Sequence, residues 1–182
     1  MKDNKFFNTR MMAEGGIVIA LSLILSLIKL GRMPQGGSIT LASMFPIILF
    51  SIRWGAPRGM VIGALYGLVS ILIDPQVYYP VQVILDYPLA FALIGISGYS
   101  FSKDVKNIFG YIPAVIIAHA LRALSHIIAG VIFFSNYAPE GMNPWIYSLT
   151  YNLSFMLPEM IMSIVFLFIL WKGVDRLVER QH

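Results

Sequence analysis

Long apolar runs broken by short polar gaps constrain this chain more than any other feature. Six such runs can be drawn, over residues 12–30, 40–52, 59–73, 82–101, 111–134 and 146–171. A helix needs about 20 mostly apolar residues to cross a bilayer. Hydrophobic residues make up 58% of the sequence and charged residues 12%, against roughly 25% charged in a soluble domain. In water such a chain would expose aggregating surface, and lipid removes that problem. The pattern predicts an all-α integral membrane protein of six transmembrane helices, a single membrane domain over residues 1–182. The second and third runs are short, so they are tilted, partly buried or longer than drawn. Between them, Arg53-Trp54-Gly55-Ala56-Pro57-Arg58-Gly59 combines helix breakers with two positive charges and reads as a tight turn. Lys2, Lys5 and Arg10 before the run from Ile17 to Leu30 give the N-terminus the look of a signal peptide, but no small-residue cleavage site follows. It reads as a retained first helix.

The basic residues orient the helices. With the N-terminus inside, the cytoplasmic segments hold Lys2, Lys5, Arg10, Arg53, Arg58, Lys103, Lys106, Lys172, Arg176 and Arg180, and the outer segments hold only Lys29 and Arg32. Arg122 falls within a run. Ten against two is a strong positive-inside bias, and shifting the count by one helix destroys it, so an even number of spans with both termini in the cytoplasm is expected. The net charge of +4 therefore reports topology rather than a nucleic-acid-binding stripe. The outer gaps, such as 32–38, 74–80 and 135–144, are rich in Pro, Gly, Tyr and Asn. Their aromatic residues suit a membrane boundary.

Ionisable groups at bilayer depth are costly, and are usually functional or paired. This chain carries Glu14, Asp86, His119, Arg122, His126 and Glu159 within its runs, with Asn152 as a polar neighbour. Arg122 and Glu159 each lie about 18–20 Å from the outer end of consecutive, hence antiparallel, helices. An Arg122–Glu159 ion pair is expected, and its plainest role is structural. His119, Arg122 and His126 share one helical face, with His126 the shallowest at about 12 Å below the outer end. Asp86, Tyr87 and Asn152 fall at similar depth. A buried carboxylate beside aromatic rings attracts an organic cation through charge and the negative face of the π-system. Asp86, Tyr87, Phe133, Phe134, Tyr147 and Tyr151 supply those elements. His126 and Asn152 can both donate and accept, which suits a nitrogen heterocycle. The residues point to an outward-facing site for a small, flat, cationic molecule. With no cysteine present, disulfides, thiolate metal sites and cysteine nucleophiles are excluded.

Several segments, taken in order, resemble the thiamine-specific S components (ThiT/YuaJ-like) of energy-coupling-factor vitamin transporters. They are Gly36-Gly37-Ser38-Ile39-Thr40-Leu41, Leu85-Asp86-Tyr87-Pro88-Leu89-Ala90-Phe91, the stretch from His126 to Gly130, Tyr137-Ala138-Pro139-Glu140-Gly141-Met142-Asn143-Pro144-Trp145, and Tyr147-Ser148-Leu149-Thr150-Tyr151-Asn152. The resemblance implies a six-helix protein of a prokaryotic cell membrane that binds thiamine from outside. It further implies no enzymatic activity and no cofactor or metal. Uptake would require a transmembrane coupling subunit and two ABC-type ATPases. The family's binding positions map onto Asp86, Tyr87, His126, Gly130, Phe134, Tyr147 and Asn152. Family members can carry glutamate in place of Asp86 and tryptophan in place of Phe134. A small-xxx-small pattern on the first helix, here Gly16 and Ala20, would dock the coupling subunit; internal helix packing explains such residues equally well. The loop from Gly31 to Ser38 would be a flexible lid.

Other functions remain open at the level of sequence. An intramembrane enzyme could use His119, His126 and Asp86, but no H-E-x-x-H motif or activated serine elbow supports it. A purely structural membrane subunit, or an S component for a thiamine precursor or another vitamin, are further alternatives.

Overall fold

The helices begin and end at recognisable local signals. The computed structural model describes residues 6–102, 104 and 107–179. Lys2, Lys5, Lys103, Lys106 and Arg180 of the topology count lie outside the described residues. Helix α1 (Thr9–Leu27) starts where the Asn8 side chain accepts a hydrogen bond from the Met11 amide at 2.8 Å, satisfying one of the unpaired donors of a helix N-terminus. It is followed by an antiparallel hairpin of β1 (Lys29–Arg32) and β2 (Ser38–Thr40), with Arg32 opposite Ser38 and Lys29 opposite Thr40. Helices α2 (Phe45–Trp54) and α3 (Ala56–Ser70) are joined at Gly55, whose φ of 86° favours glycine. Three long helices complete the chain: α4 (Pro80–Gly98), α5 (Ile108–Phe133) and α6 (Pro144–Glu179).

Among the described residues there are thus six helical segments, but only α1, α4, α5 and α6 are long and apolar enough to cross a membrane. At about 1.5 Å per residue, ten residues of α2 and fifteen of α3 fall short of a hydrocarbon core of roughly 30 Å. Helices α2 and α3 are thus shorter than a full span, as the short second and third runs anticipated, and α3 leaves Leu65 and Leu68 exposed. Helix α2 is the most enclosed of all, with Ile47 and Ile48 wholly buried. The hairpin departs from expectation. Residues 28–30 do not extend the first helix, and the segment expected to be a flexible loop is paired backbone.

Glycines set how closely α2, α3 and α4 approach. Gly59, Gly63 and Gly67 recur every fourth residue along α3 and so share one side of it. A Cβ at Gly63 would lie 2.8 Å from the Phe91 carbonyl carbon of α4 and closer still to its oxygen. One at Gly67 would lie 2.6 Å from the Tyr87 carbonyl oxygen, and one at Gly59 would lie 2.6 Å from Ser51 Cβ on α2. Lipid supplies no hydrophobic drive between helices, so this near-contact of backbones replaces it with close van der Waals packing.

The far end of this block carries charge. Glu14 pairs with Arg10 at 3.0 Å and Arg53 at 3.1 Å, and accepts from Trp54 Nε1 at 2.7 Å. Arg58 donates to the Phe6 carbonyl nearby. Glu14 is a partly exposed residue at the end of the bundle rather than a group at mid-depth.

Candidate functional site

A proline creates the local geometry of the site. Pro88 has no N–H to donate and its ring crowds the preceding turn, and here residues Leu85–Leu89 wind as one π-helical turn within α4. Such turns often mark functional positions. The Leu85 carbonyl accepts from Ser125 Oγ of α5 at 2.6 Å. The turn carries Asp86 and Tyr87 on the wall of a cavity of about 520 Å³ at the end of the bundle opposite Glu14.

Asp86 is held from two sides. Its Oδ1 meets His126 Nδ1 at 2.9 Å, and its Oδ2 accepts from Gln82 Nε2 at 2.7 Å. Since a carboxylate only accepts, the His126 proton in this contact lies on Nδ1. Across the cavity, Asn152 donates from Nδ2 to the Ser148 carbonyl at 2.9 Å and to Ser148 Oγ at 3.3 Å. Its Oδ1 remains an acceptor. Gly130 faces Ser148, whose hydroxyl occupies the place a Cβ would take. Aromatic rings complete the wall: Tyr147 stacks on Tyr151 at 6.1 Å, Phe134 stacks on Tyr137 at 6.1 Å, and Tyr78 meets Phe134 edge-on at 5.5 Å.

The floor is ionic but neutral. Arg122 Nη1 donates to Glu159 Oε2 at 2.8 Å, and its guanidinium lies 5.2 Å from the Phe91 ring centroid. Glu159 Oε1 accepts from both the amide (3.1 Å) and the hydroxyl (2.5 Å) of Thr40, at the end of β2. Breaking such a pair on one side strands the other charge in a low-dielectric interior.

Two loops roof the cavity. The turn 34–37 between β1 and β2 meets α6 through the Tyr151 hydroxyl, which accepts from the Gly37 amide at 2.9 Å and donates to the Pro34 carbonyl. The loop 74–79 meets α4 through the Tyr87 hydroxyl, which accepts from the Gln76 amide at 2.7 Å and donates to the Asp74 carbonyl at 3.0 Å. A Lys29–Asp74 ion pair ties the start of β1 to loop 74–79.

The structure therefore brings Asp86, Tyr87, His126, Gly130, Phe134, Tyr147 and Asn152 to one cavity. Phe133 turns away and stacks on Tyr79 at 5.2 Å. His119 is buried, with Nδ1 on the Val115 carbonyl at 3.0 Å, and does not line the cavity. Arg122 and Glu159 form the expected ion pair and also line the cavity. Gln82 was missed by sequence reasoning, although it lies four residues before Asp86 and so one helical turn away, within reach of its carboxylate. No group of three or more metal-ligating side chains occurs among the described residues.

A helical bundle in lipid, with a roofed cavity that carries a carboxylate and stacked rings on its walls, defines a membrane-embedded receptor for a small molecule. The family model described as "Thiamine transporter protein (Thia_YuaJ)" matches residues 12–179. The chain is 40% identical over 179 residues to the thiamine transporter ThiT of Bacillus subtilis, covering 91% of this chain and 92% of that one. It is 31% identical over 135 residues to ThiT of Lacticaseibacillus paracasei, covering 67% of each. A solved structure of ThiT from Listeria monocytogenes superposes with a TM-score of 0.82 at 30% identity, covering 94% of this chain and 99% of that one. The chain belongs to the thiamine transporter (Thia_YuaJ) family of energy-coupling-factor S components. It is a multi-pass protein of the bacterial plasma membrane and a transport component rather than an enzyme.

Proposed function

We propose that this protein captures thiamine from outside the cell in the roofed cavity. The observation that carries this reading is the pairing of the cavity acids. Asp74 is paired with Lys29 and Glu159 with Arg122, whereas Asp86 has no lysine or arginine partner among the described residues, only an imidazole and an amide. Asp86 is thus the acid whose charge is available to an organic cation, and the rings of Phe134, Tyr137, Tyr147 and Tyr151 present π-faces around it. Thiamine combines a cationic thiazolium with an aminopyrimidine. Asp86 and Asn152 Oδ1 supply acceptors for the amino group, and the stacked aromatic residues supply surfaces for two flat rings.

The same reading places the cavity end outside and both termini in the cytoplasm. Arg10, Arg53 and Arg58 cluster at the opposite end, near Glu14 and Phe6, as the positive-inside rule requires. Delivery inward uses a transmembrane coupling subunit and two ABC-type ATPases. Gly16 and Ala20 lie on the exposed face of α1, and nothing comes within 4 Å of a Cβ built at Gly16. That face is open to a helix of the coupling subunit.

Calorimetric titration of the purified protein tests the ligand. Saturable binding of one thiamine per chain is expected, with Asp86→Ala weakening it at least about a hundredfold, or about 2.7 kcal/mol, and leaving the ligand-free melting temperature in place. Unchanged affinity in the variant would overturn the site. Binding of another vitamin in preference to thiamine would overturn the ligand.

A further inference from the structure

The two roof loops are fastened differently. Loop 74–79 is held by the Tyr87 hydroxyl and also by the Gln82 side chain, which donates to the Gln76 carbonyl at 3.0 Å and accepts from the Tyr78 amide at 3.1 Å. Turn 34–37 has no such second anchor among the described residues. Its own closing bond, Met33 amide to Gly37 carbonyl at 2.7 Å, is local. Its polar attachment to a helix is the Tyr151 hydroxyl, bonded at both ends of the turn. The turn is also under backbone strain: Gln35 has φ 59°, a left-handed conformation unfavourable for a residue with a Cβ, and Gly36 follows at φ 92°. Pro34, Gln35 and Gly36 are exposed. Tyr151 precedes Asn152 in sequence, stacks on Tyr147, and meets Phe155 edge-on at 5.7 Å.

We propose that the Tyr151 hydroxyl is the latch of the roof, a positioning residue that sets how long a bound ligand is retained. Its oxygen joins the strained turn to the cavity wall that carries Tyr147 and Asn152. The turn opens when these two hydrogen bonds break, and loop 74–79 stays in place because Tyr87 and Gln82 hold it independently. The retained ligand is thiamine on the reading given above, but the latch itself belongs to the protein with or without ligand.

The test is Tyr151→Phe, which keeps the ring contacts and deletes the hydroxyl. Two hydrogen bonds of ordinary strength correspond to a factor of about 5 to 150, and it should appear in the thiamine dissociation rate, with the association rate within about twofold. Hydrogen exchange on the ligand-free variant should accelerate in a peptide covering 33–40 and remain unchanged over 74–79. Unchanged exchange in 33–40, or equal acceleration of both segments, overturns the latch. Unchanged dissociation of thiamine also overturns it. If the parent protein binds no thiamine but 33–40 alone loosens in the variant, the ligand assignment fails and the latch stands.

Discussion

The two ends of this molecule are held together by different physics. Around α2, α3 and the lower part of α4, backbones touch through Gly59, Gly63, Gly67 and Gly95, and the space between them is filled. Around the cavity, separate elements are joined by a few polar side chains: Glu159 to Thr40, Tyr151 to turn 34–37, Tyr87 and Gln82 to loop 74–79, Lys29 to Asp74. The first kind of contact has one geometry and tolerates no opening. The second can break and re-form bond by bond, each worth about 0.5–3 kcal/mol. A receptor that must admit a ligand and then hold it needs both, the closed block as a frame and the pinned loops as an entrance.

That contrast can be broken most severely at Gly63. Gly63→Leu should separate α3 from α4 by forcing a side chain into the Phe91 carbonyl, a cost above about 3 kcal/mol by analogy with overpacked cores. Loss of the folded, detergent-stable protein, followed by thermal melting, is the expected outcome; a melting temperature near the parent's would show that the block is softer than its geometry. The polar region makes a more graded prediction. Arg122→Met alone should destabilise by about 3–5 kcal/mol because Glu159 is left charged and buried, whereas Arg122→Met with Glu159→Met should recover much of the loss. Additive losses in that double-mutant cycle would mean that the pair is not coupled. The smallest effect on the isolated protein belongs to the lipid face of α1. Gly16→Leu should leave thiamine affinity unchanged and impair uptake when the coupling subunit and ATPases are present. Normal uptake would remove this face from the docking surface.

Much of the frame was legible in the sequence because burial in lipid leaves a coarse signal. Runs of apolar residues located all six helices, and depth counting brought Arg122 and Glu159 to one level, where they stand 2.8 Å apart. Charge and ring chemistry singled out Asp86, Tyr87, His126, Tyr147 and Asn152, and all of them line the cavity. The hairpin was not legible. Strands of four and three residues are too short to show an alternation, and their glycines read as a loop. Gly59, Gly63 and Gly67 did carry a readable spacing. Its meaning is not read by hydropathy, which treats a glycine as merely weakly apolar and says nothing of how close two backbones come. The Tyr151 attachment of the roof was beyond reach, since a hydroxyl bonded to a backbone more than a hundred residues away leaves no trace in local pattern.

The π-helical turn at Leu85–Leu89 also changes how α4 is phased. A π turn winds in one residue more than an α turn, so the helix above it is rotated relative to the helix below. Gln82 above the turn and Asp86 within it face the cavity; below it, Phe91 borders both the cavity and α3, and Gly95 lies against Gly59 and Met60 of α3. One continuous rod thus passes from a recognition stretch to a packing stretch. A residue gained or lost within the turn would redirect the recognition stretch while leaving the stretch packed on α3 in register.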